Sequence, residues 1–390
     1  MLSQRTIDIV KSTAPILEAR GIDITTVFYK NLFTDHPELL HIFNHTNQKQ
    51  GRQQTALANA VYAAALNIDQ LHTILSVVKQ IGHKHRSLGV RAEHYPIVGE
   101  HLLRAIKQVL GDAATEDIIS AWADAYGVIA DAFIGVEKEL YEQVRNQRAG
   151  FADFKSFIVA KKVRESDVIT SFYLEPADGG EVPGYDAGQY ISVRLNIPGE
   201  TYSHIRQYSL SSSHHPNFFR ISVKREGKGT VSAYLHDQFK EGEVLEVSAP
   251  AGDFVLNDEN TPLVLISGGV GITPMMSMLE TTFRNQPSRT VSFIHASRNE
   301  AVQPFKAEVE RVIQGHPDAK CSFVYGTLSL SEEHLEDDGA DYYVCGPVMF
   351  MKAVIERLKQ LGVPVAKIHY EFFGPGLDLA GVEEVEKTHS

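Results

Sequence analysis

The spacing at which apolar residues recur changes once along this chain, and that change limits what it can fold into. From Ser3 to Tyr141 they recur every three or four positions, as in helices with one dry face. Arg145-Asn146-Gln147-Arg148-Ala149-Gly150 breaks the pattern. After Phe151 the apolar residues alternate in short runs bounded by Gly and Pro, among them Phe157-Ile158-Val159-Ala160, Ile169 to Leu174 and Gln189 to Leu195. From Leu263-Val264-Leu265-Ile266 onward, short unbroken apolar runs alternate with helical stretches, as in a buried parallel sheet. The expected fold is therefore multidomain: an all-α domain over 1–147, an antiparallel β-barrel over 148–257, and an α/β domain with a parallel sheet over 258–390.

At 390 residues, with 43 % hydrophobic and 22 % charged residues, each part can bury a core. A formal charge of −12 argues against nucleic acid, which wants clustered basic charge. No apolar run approaches the roughly 20 residues that span a bilayer, and Met1-Leu2-Ser3-Gln4-Arg5 lacks the apolar core of an export signal. A soluble, cytoplasmic monomer is expected. Cys321 and Cys345 are too few for a disulfide framework or a thiolate metal site. Seventeen histidines invite a search for a ligand.

In the helical part, His85 follows Ile74, Val78 and Ile81 and ends an apolar stripe, whereas His83 falls off that stripe and reads as a solvent histidine. A core histidine bonded to a carbonyl would suffice to explain His85 alone. Its company says more. Gln53 precedes Leu57 and Val61 on one stripe, Tyr29 adjoins Phe28, and Tyr95 shares a face with Val98 and Leu102. Glu137 follows Ala130, Phe133 and Ile134 onto a dry face, where a carboxylate is costly unless paired. His85 or Tyr95 as its partner would explain it, and a carboxylate behind a histidine makes that histidine a stronger metal ligand. Tyr29 and Gln53 would then form the polar side of a pocket lined by Phe28, Phe43, Leu57 and Val61. A helical bundle with buried polar residues and no cofactor fits the periodicity equally well.

The second half carries an ordered motif series. Arg206-Gln207-Tyr208-Ser209 lies on a strand and offers a fork for a pyrophosphate, a ring to lie against an aromatic, and a hydroxyl. Gly227 and Gly229 lead to a helix start at Thr230. Ser267-Gly268-Gly269-Val270-Gly271-Ile272-Thr273-Pro274 follows an apolar strand and opens a helix, so its backbone can approach a diphosphate. Proline stands where dehydrogenases have their third glycine. Ser297-Arg298 after a strand could meet a 2′-phosphate or be ordinary surface, which leaves NADH versus NADPH open. Cys345-Gly346-Pro347 sits at a strand end, where α/β sheets place ligands, and Phe372-Phe373-Gly374-Pro375 lies near the C-terminus.

Tyr29 with Phe28, the stretch Asn47 to Gln53, Lys84-His85-Arg86-Ser87 and Tyr95 to Leu102 resemble the globin module of bacterial flavohaemoglobins. The motifs of the second half, with Gly188-Gln189-Tyr190 and Pro250 to Phe254, resemble the ferredoxin-reductase-like FAD and nucleotide module. The resemblance implies haem b held by His85, FAD, and NADH or NADPH. It implies that Tyr29 and Gln53 hold bound dioxygen, that Phe43 packs on the haem, and that Tyr95 and Glu137 support the proximal histidine. Lys84 resembles a residue that influences redox potential. Tyr190 and Arg206 to Ser209 would hold FAD, Gly268 to Thr273 and Cys345 the nicotinamide nucleotide, and Phe372-Phe373 would set an aromatic against the flavin. The implied activity is NAD(P)H-dependent nitric oxide dioxygenation, with O2 and NO as substrates. A general NAD(P)H:acceptor reductase and a haem-based gas sensor remain as alternatives.

Overall fold

The computed structural model describes residues 2–43, 51–336 and 339–373, apart from the side chains of His72 and Ile74. The stretch 44–50, Gly374 and Pro375 lie outside the described residues. By contacts the chain forms two compact units: the helical part through Asn146 with Pro198–Ile205, and Gln147–Ile197 with Arg206–Phe373.

The first unit is built from α1 (Gln4–Ser12), α2 (Ala14–Asp35), α3 (Arg52–Leu66), α4 (Leu75–Leu88), α5 (His94–Leu110) and α6 (Glu116–Asn146). Ser3 caps α1 by accepting the Thr6 N–H at 3.1 Å. Pro15 stands in the first turn of α2, and Pro37 opens the 3-10 turn Pro37–His41, positions where the missing N–H costs nothing. Phe28, Leu32, Leu102, Ile106 and Trp122 are buried in the shared core, and the Trp122 indole N–H donates to Thr13 Oγ1 at 3.1 Å. By length and composition α6 is apolar enough to cross a membrane, although its apolar residues are interrupted by charged ones and form no unbroken run. The same helix packs against α1, α4 and α5 and so walls the core of this unit.

The second unit holds β1 (Lys155–Arg164), β2 (Ile169–Pro176), β3 (Tyr190–Leu195), β5 (Phe219–Lys224), β6 (Val244–Val247) and, from Arg206 on, β4 (His204–Ser209), in one sheet of order β4-β3-β6-β1-β2-β5. A bridge between Leu210 and Ile221 joins its two edges and closes the barrel. Phe157, Phe172, Ile191, Val193, Phe219 and Ile221 fill it, with Val231 and Leu235 of α7 (Thr230–Asp237).

The second sheet comprises β7 (Leu263–Gly268), β8 (Val291–Ser297), β9 (Ala319–Tyr325), β10 (Asp341–Cys345) and β11 (Ile368–Glu371), in the order β11-β10-β7-β8-β9, and is parallel throughout. Alternate residues point to opposite faces. Leu263, Leu265 and Phe293 meet α8 (Ile272–Asn285) and α9 (Lys306–Ile313), while Val264, Ile266 and Val344 meet α10 (Val348–Gln360). The strand order reverses between β7 and β10, which puts their C-terminal ends, Gly268 and Cys345, at the switch point where α/β sheets receive ligands.

Candidate functional site

In the first unit, α4 and α6 bring together the residues that spacing alone could only align. His85 Nδ1 lies 2.7 Å from Glu137 Oε1, and the Tyr95 hydroxyl donates to the same oxygen at 2.6 Å. Tyr95 Oη is also 3.2 Å from His85 Nδ1. Glu137 accepts only, so the imidazole proton sits on Nδ1 and the Nε2 lone pair is left for a ligand. The Glu137 side chain is 4 % exposed and that of His85 33 %, so the carboxylate is dry while the ring keeps an open edge. Burial first, and then the Glu137 carboxylate, raises the Tyr95 pKa and keeps it a donor. Tyr95 is itself held. The Tyr126 hydroxyl donates to its carbonyl at 2.6 Å, and a Cβ on Gly99 would meet the Tyr126 ring at 2.5 Å, so only glycine admits that ring. Phe133 packs its ring 5.9 Å from that of His85. Lys84 is half-buried. His83 is not a solvent histidine: burial first, then Arg86 and Lys79, pulls its pKa down to about 4.

Tyr29 on α2 sits in an aromatic nest, with ring centroids at 4.8 Å to Phe28, 5.6 Å to Phe33 and 5.9 Å to Phe43. Its hydroxyl is hydrogen-bonded to Gln53 on α3, and burial, opposed by that bond, raises its pKa. Leu57 and Val61, one and two turns past Gln53, pack on the same core. The result is a hydroxyl and an amide surrounded by hydrocarbon.

On the barrel, Tyr190 and Ala251 exchange backbone hydrogen bonds of 2.9 and 2.8 Å, joining the Gly188-Gln189-Tyr190 and Pro250-Ala251-Gly252 stretches. Beside them on β4, Gln207 Nε2 donates to Ser192 Oγ at 3.0 Å and Ser209 is buried. Burial lowers the Arg206 pKa and raises that of Tyr208. A cation held where burial disfavours it is suited to an anionic ligand.

At the switch point, Gly268-Gly269-Val270-Gly271 makes a tight 3-10 turn into α8, closed by the Ile272 N–H donating back to the Gly269 carbonyl, so the start of a helix stands at the end of β7. Thr273 Oγ1 donates back to the Val270 carbonyl at 3.0 Å. A Cβ on Gly271 would fall 2.3 Å from the Cys345 carbonyl oxygen, so the loop touches β10 only as glycine. The Cys345 thiol is fully buried; burial first, and then Glu371, raises its pKa well above the usual thiol range. Phe372 is half-buried and edge-on to Tyr370 at 5.6 Å; Phe373 is 45 % exposed. Ser297 does not follow a strand but ends one. It is buried, and its hydroxyl lies 3.0 Å from His295 Nε2, whose Nδ1 is 2.8 Å from Ser267 Oγ. Burial drives the His295 pKa down to about 3.

Tyr126, His295 and the cluster around Arg220 escaped sequence reasoning. Tyr126 acts on a backbone carbonyl, which leaves no pairing signal. Arg220 could have been found: it faces away from Phe219, Ile221 and Val223 on a strand whose other face is dry.

Comparison with known proteins agrees with this layout. The globin family matches residues 26–133, the oxidoreductase FAD-binding domain residues 156–256, and the oxidoreductase NAD-binding domain residues 265–356. A flavohemoprotein from Bacillus cereus is 54 % identical over 403 aligned positions, covering 97 % of this chain and all of the relative. The crystal structure of a Malassezia yamatoensis flavohemoglobin with bound FAD and heme superposes with a TM-score of 0.86 at 29 % identity, over 96 % of this chain and 100 % of that one. The FAD/NAD-binding domain of a nitric oxide dioxygenase from Vibrio cholerae matches 57 % of this chain and 100 % of its own, with a TM-score of 0.55 at 40 % identity. Full-length similarity of that order, with helical, barrel and parallel-sheet parts in the same sequence order, places this chain in the flavohemoprotein family.

Proposed function

We propose that the protein is a nitric oxide dioxygenase, in which two NO, two O2 and one NAD(P)H give two nitrate, NAD(P)+ and a proton. The observation that carries this reading is the His85–Glu137–Tyr95 cluster, which commits the imidazole proton to Nδ1 and leaves Nε2 for haem iron. When bound, haem b supplies a gas-binding centre that takes one electron at a time, and FAD converts the two-electron donor NAD(P)H into single electrons.

The chain's own residues divide the remaining work. Glu137 keeps negative charge behind His85 and strengthens its donation, with Tyr95 holding the carboxylate in place. Phe28, Phe43 and Leu57 exclude water around Tyr29. The Tyr29 hydroxyl and the Gln53 amide are the polar groups offered to bound dioxygen, where surrounding hydrocarbon strengthens a hydrogen bond. Lys84, beside the ligand, adds positive charge to the same end of α4.

On the second unit, Arg206 and the neighbouring Gln207, Tyr208, Ser209 and Tyr190 would bind FAD. Gly268, Gly269, Val270, Gly271, Ile272 and Thr273 would take the diphosphate of NADH or NADPH, and Cys345 would border the nicotinamide. Phe372 and Phe373 would cover the flavin. One polypeptide carries every part of the electron path, so we take the working unit to be a monomer, and its coenzyme assigns it to the cytoplasm.

The test is the visible spectrum of purified protein under argon, before and after NADH, then with air and NO. Haem and flavin bands, reduction of both by NADH, and nitrate formed on NO addition are expected. Haem that NADH leaves oxidised, or NO consumed without nitrate, would overturn the reading.

A further inference from the structure

The outer face of the barrel at β2 and β5 is polar but dry. Ser171, Ser222 and Ser211 form a buried hydroxyl chain, with Oγ separations of 2.8 and 2.7 Å. Beside it lies Arg220, 4 % exposed, the centre of a buried cluster that the proposed chemistry does not use. Its Nη1 donates to Glu308 Oε1 on α9 at 2.7 Å, and its Nη2 lies 3.4 Å from Glu280 Oε1 on α8. Nε donates to the Ser211 carbonyl at 3.1 Å, and Nη2 reaches the same oxygen. The guanidinium stands 5.2 Å from the ring of Phe305, which begins α9 with a φ of 60°, a strained value for a bulky residue.

Glu280 reaches further. Its Oε2 accepts both the N–H and the hydroxyl of Ser213, at 2.7 and 3.0 Å. One turn on, Arg284 donates to Ser213 Oγ at 2.5 Å and to the His214 carbonyl at 2.6 Å. Ser211 to His214 directly continue the strand that carries Arg206-Gln207-Tyr208-Ser209, while α8 begins at the glycine loop. From Ile272 to Glu280 is eight residues, about 12 Å of straight helix at 1.5 Å per residue. A single rigid rod thus joins the nucleotide loop at one end to a grip on the flavin strand at the other.

Buried ion pairs contribute little net stability compared with packed hydrocarbon, so folding alone does not account for this cluster. What a forked guanidinium and a doubly bonded carboxylate supply is fixed geometry. We infer that Glu280 and Arg220 are positioning residues for hydride transfer, setting the distance and angle at which the nucleotide domain presents the nicotinamide to the flavin. This rests on the reading that NAD(P)H reduces FAD on this unit, giving up a hydride with its electron pair and leaving as NAD(P)+.

The test uses the full-length holoprotein in anaerobic stopped flow with NADH. It follows flavin reduction, the long-wavelength charge-transfer absorbance of the nucleotide–flavin complex, FAD content and NAD+ affinity. Glu280→Ala should reduce flavin on the order of tenfold to a hundredfold more slowly, the scale of a misplacement of about 1 Å. It should also lose most of the charge-transfer band while keeping FAD and NAD+ binding. Glu280→Gln, whose amide oxygen still accepts from Ser213, should recover most of both signals. Arg284→Met touches only the outer contacts and should give a smaller loss of the same kind, which keeps the inference testable if Glu280→Ala does not fold. Wild-type reduction rates and a full charge-transfer band in Glu280→Ala, or in Arg284→Met where the former does not fold, would overturn it. Wild-type flavin that NADH cannot reduce would overturn the parent reading and this one with it.

Discussion

A single oxygen of Glu137 serves His85 on one side, at 2.7 Å, and Tyr95 on the other, at 2.6 Å. Both partners donate to that one oxygen, so the oxygen of a glutamine could still accept from each, but it would not place negative charge behind the imidazole. Glu137→Gln should retain haem but raise the midpoint potential of its iron, because the histidine loses the charge that strengthens it. NO-dependent nitrate formation should fall on the order of tenfold or more. Spectroelectrochemical titration of both proteins checks this, and an unchanged potential would detach Glu137 from the metal.

Tyr29→Phe removes one oxygen from a nest that is otherwise aromatic. The lost bond to Gln53 should change stability by about 1 kcal/mol, the usual net worth of a hydrogen bond. Dioxygenation should drop on the order of tenfold or more while NADH-driven reduction of ferricyanide stays at the wild-type rate. Equal nitrate formation by the two proteins would favour the general reductase instead.

Gly271→Ala places a methyl group 2.3 Å from the Cys345 carbonyl oxygen, a contact that backbone must move to relieve. The loop and β10 should separate, weakening NADH binding and slowing flavin reduction by about tenfold or more. FAD content should not change. Isothermal titration with NAD+ alongside flavin absorbance separates the two effects.

His295 makes the second unit acid-sensitive. Its folded pKa of about 3 lies below the ordinary 6.5, so it contributes stability above pH 6.5 that is lost as pH falls towards 3. Within that window only the unfolded chain takes up the proton; below it both states carry it and no further stability is lost. Urea unfolding followed by flavin fluorescence should show a wild-type loss between pH 7 and 5 that His295→Gln lacks. Parallel pH profiles would mean that other groups dominate.

The fold and the site are most legible in the sequence where periodicity and chemistry agree. Glu137 on a dry helical face demanded a partner, and His85 with Tyr95 supplied it. The glycine loop and Cys345 could be placed at strand ends because continuous apolar runs mark buried parallel strands. A residue whose surroundings come from neighbours far along the chain leaves no such mark in the sequence. His83 falls off the apolar stripe of its helix yet is half-buried, a burial that the periodicity of one helix does not carry. Ser297 looked like a loop residue because the length of β8 is set by pairing with β7 and β9, not by its own composition. Arg220 and Glu280 lie 60 residues apart and carry no shared motif.

The chain contains one tryptophan, and it lies in the core of the first unit with its indole N–H bonded to Thr13. Indole emission therefore reports on the helical unit alone, whereas isoalloxazine emission would report on the other. The two halves of the polypeptide come with separate built-in dyes. Melting, ligand release and proteolysis of each can be followed in the same cuvette, without a label and without cutting the chain.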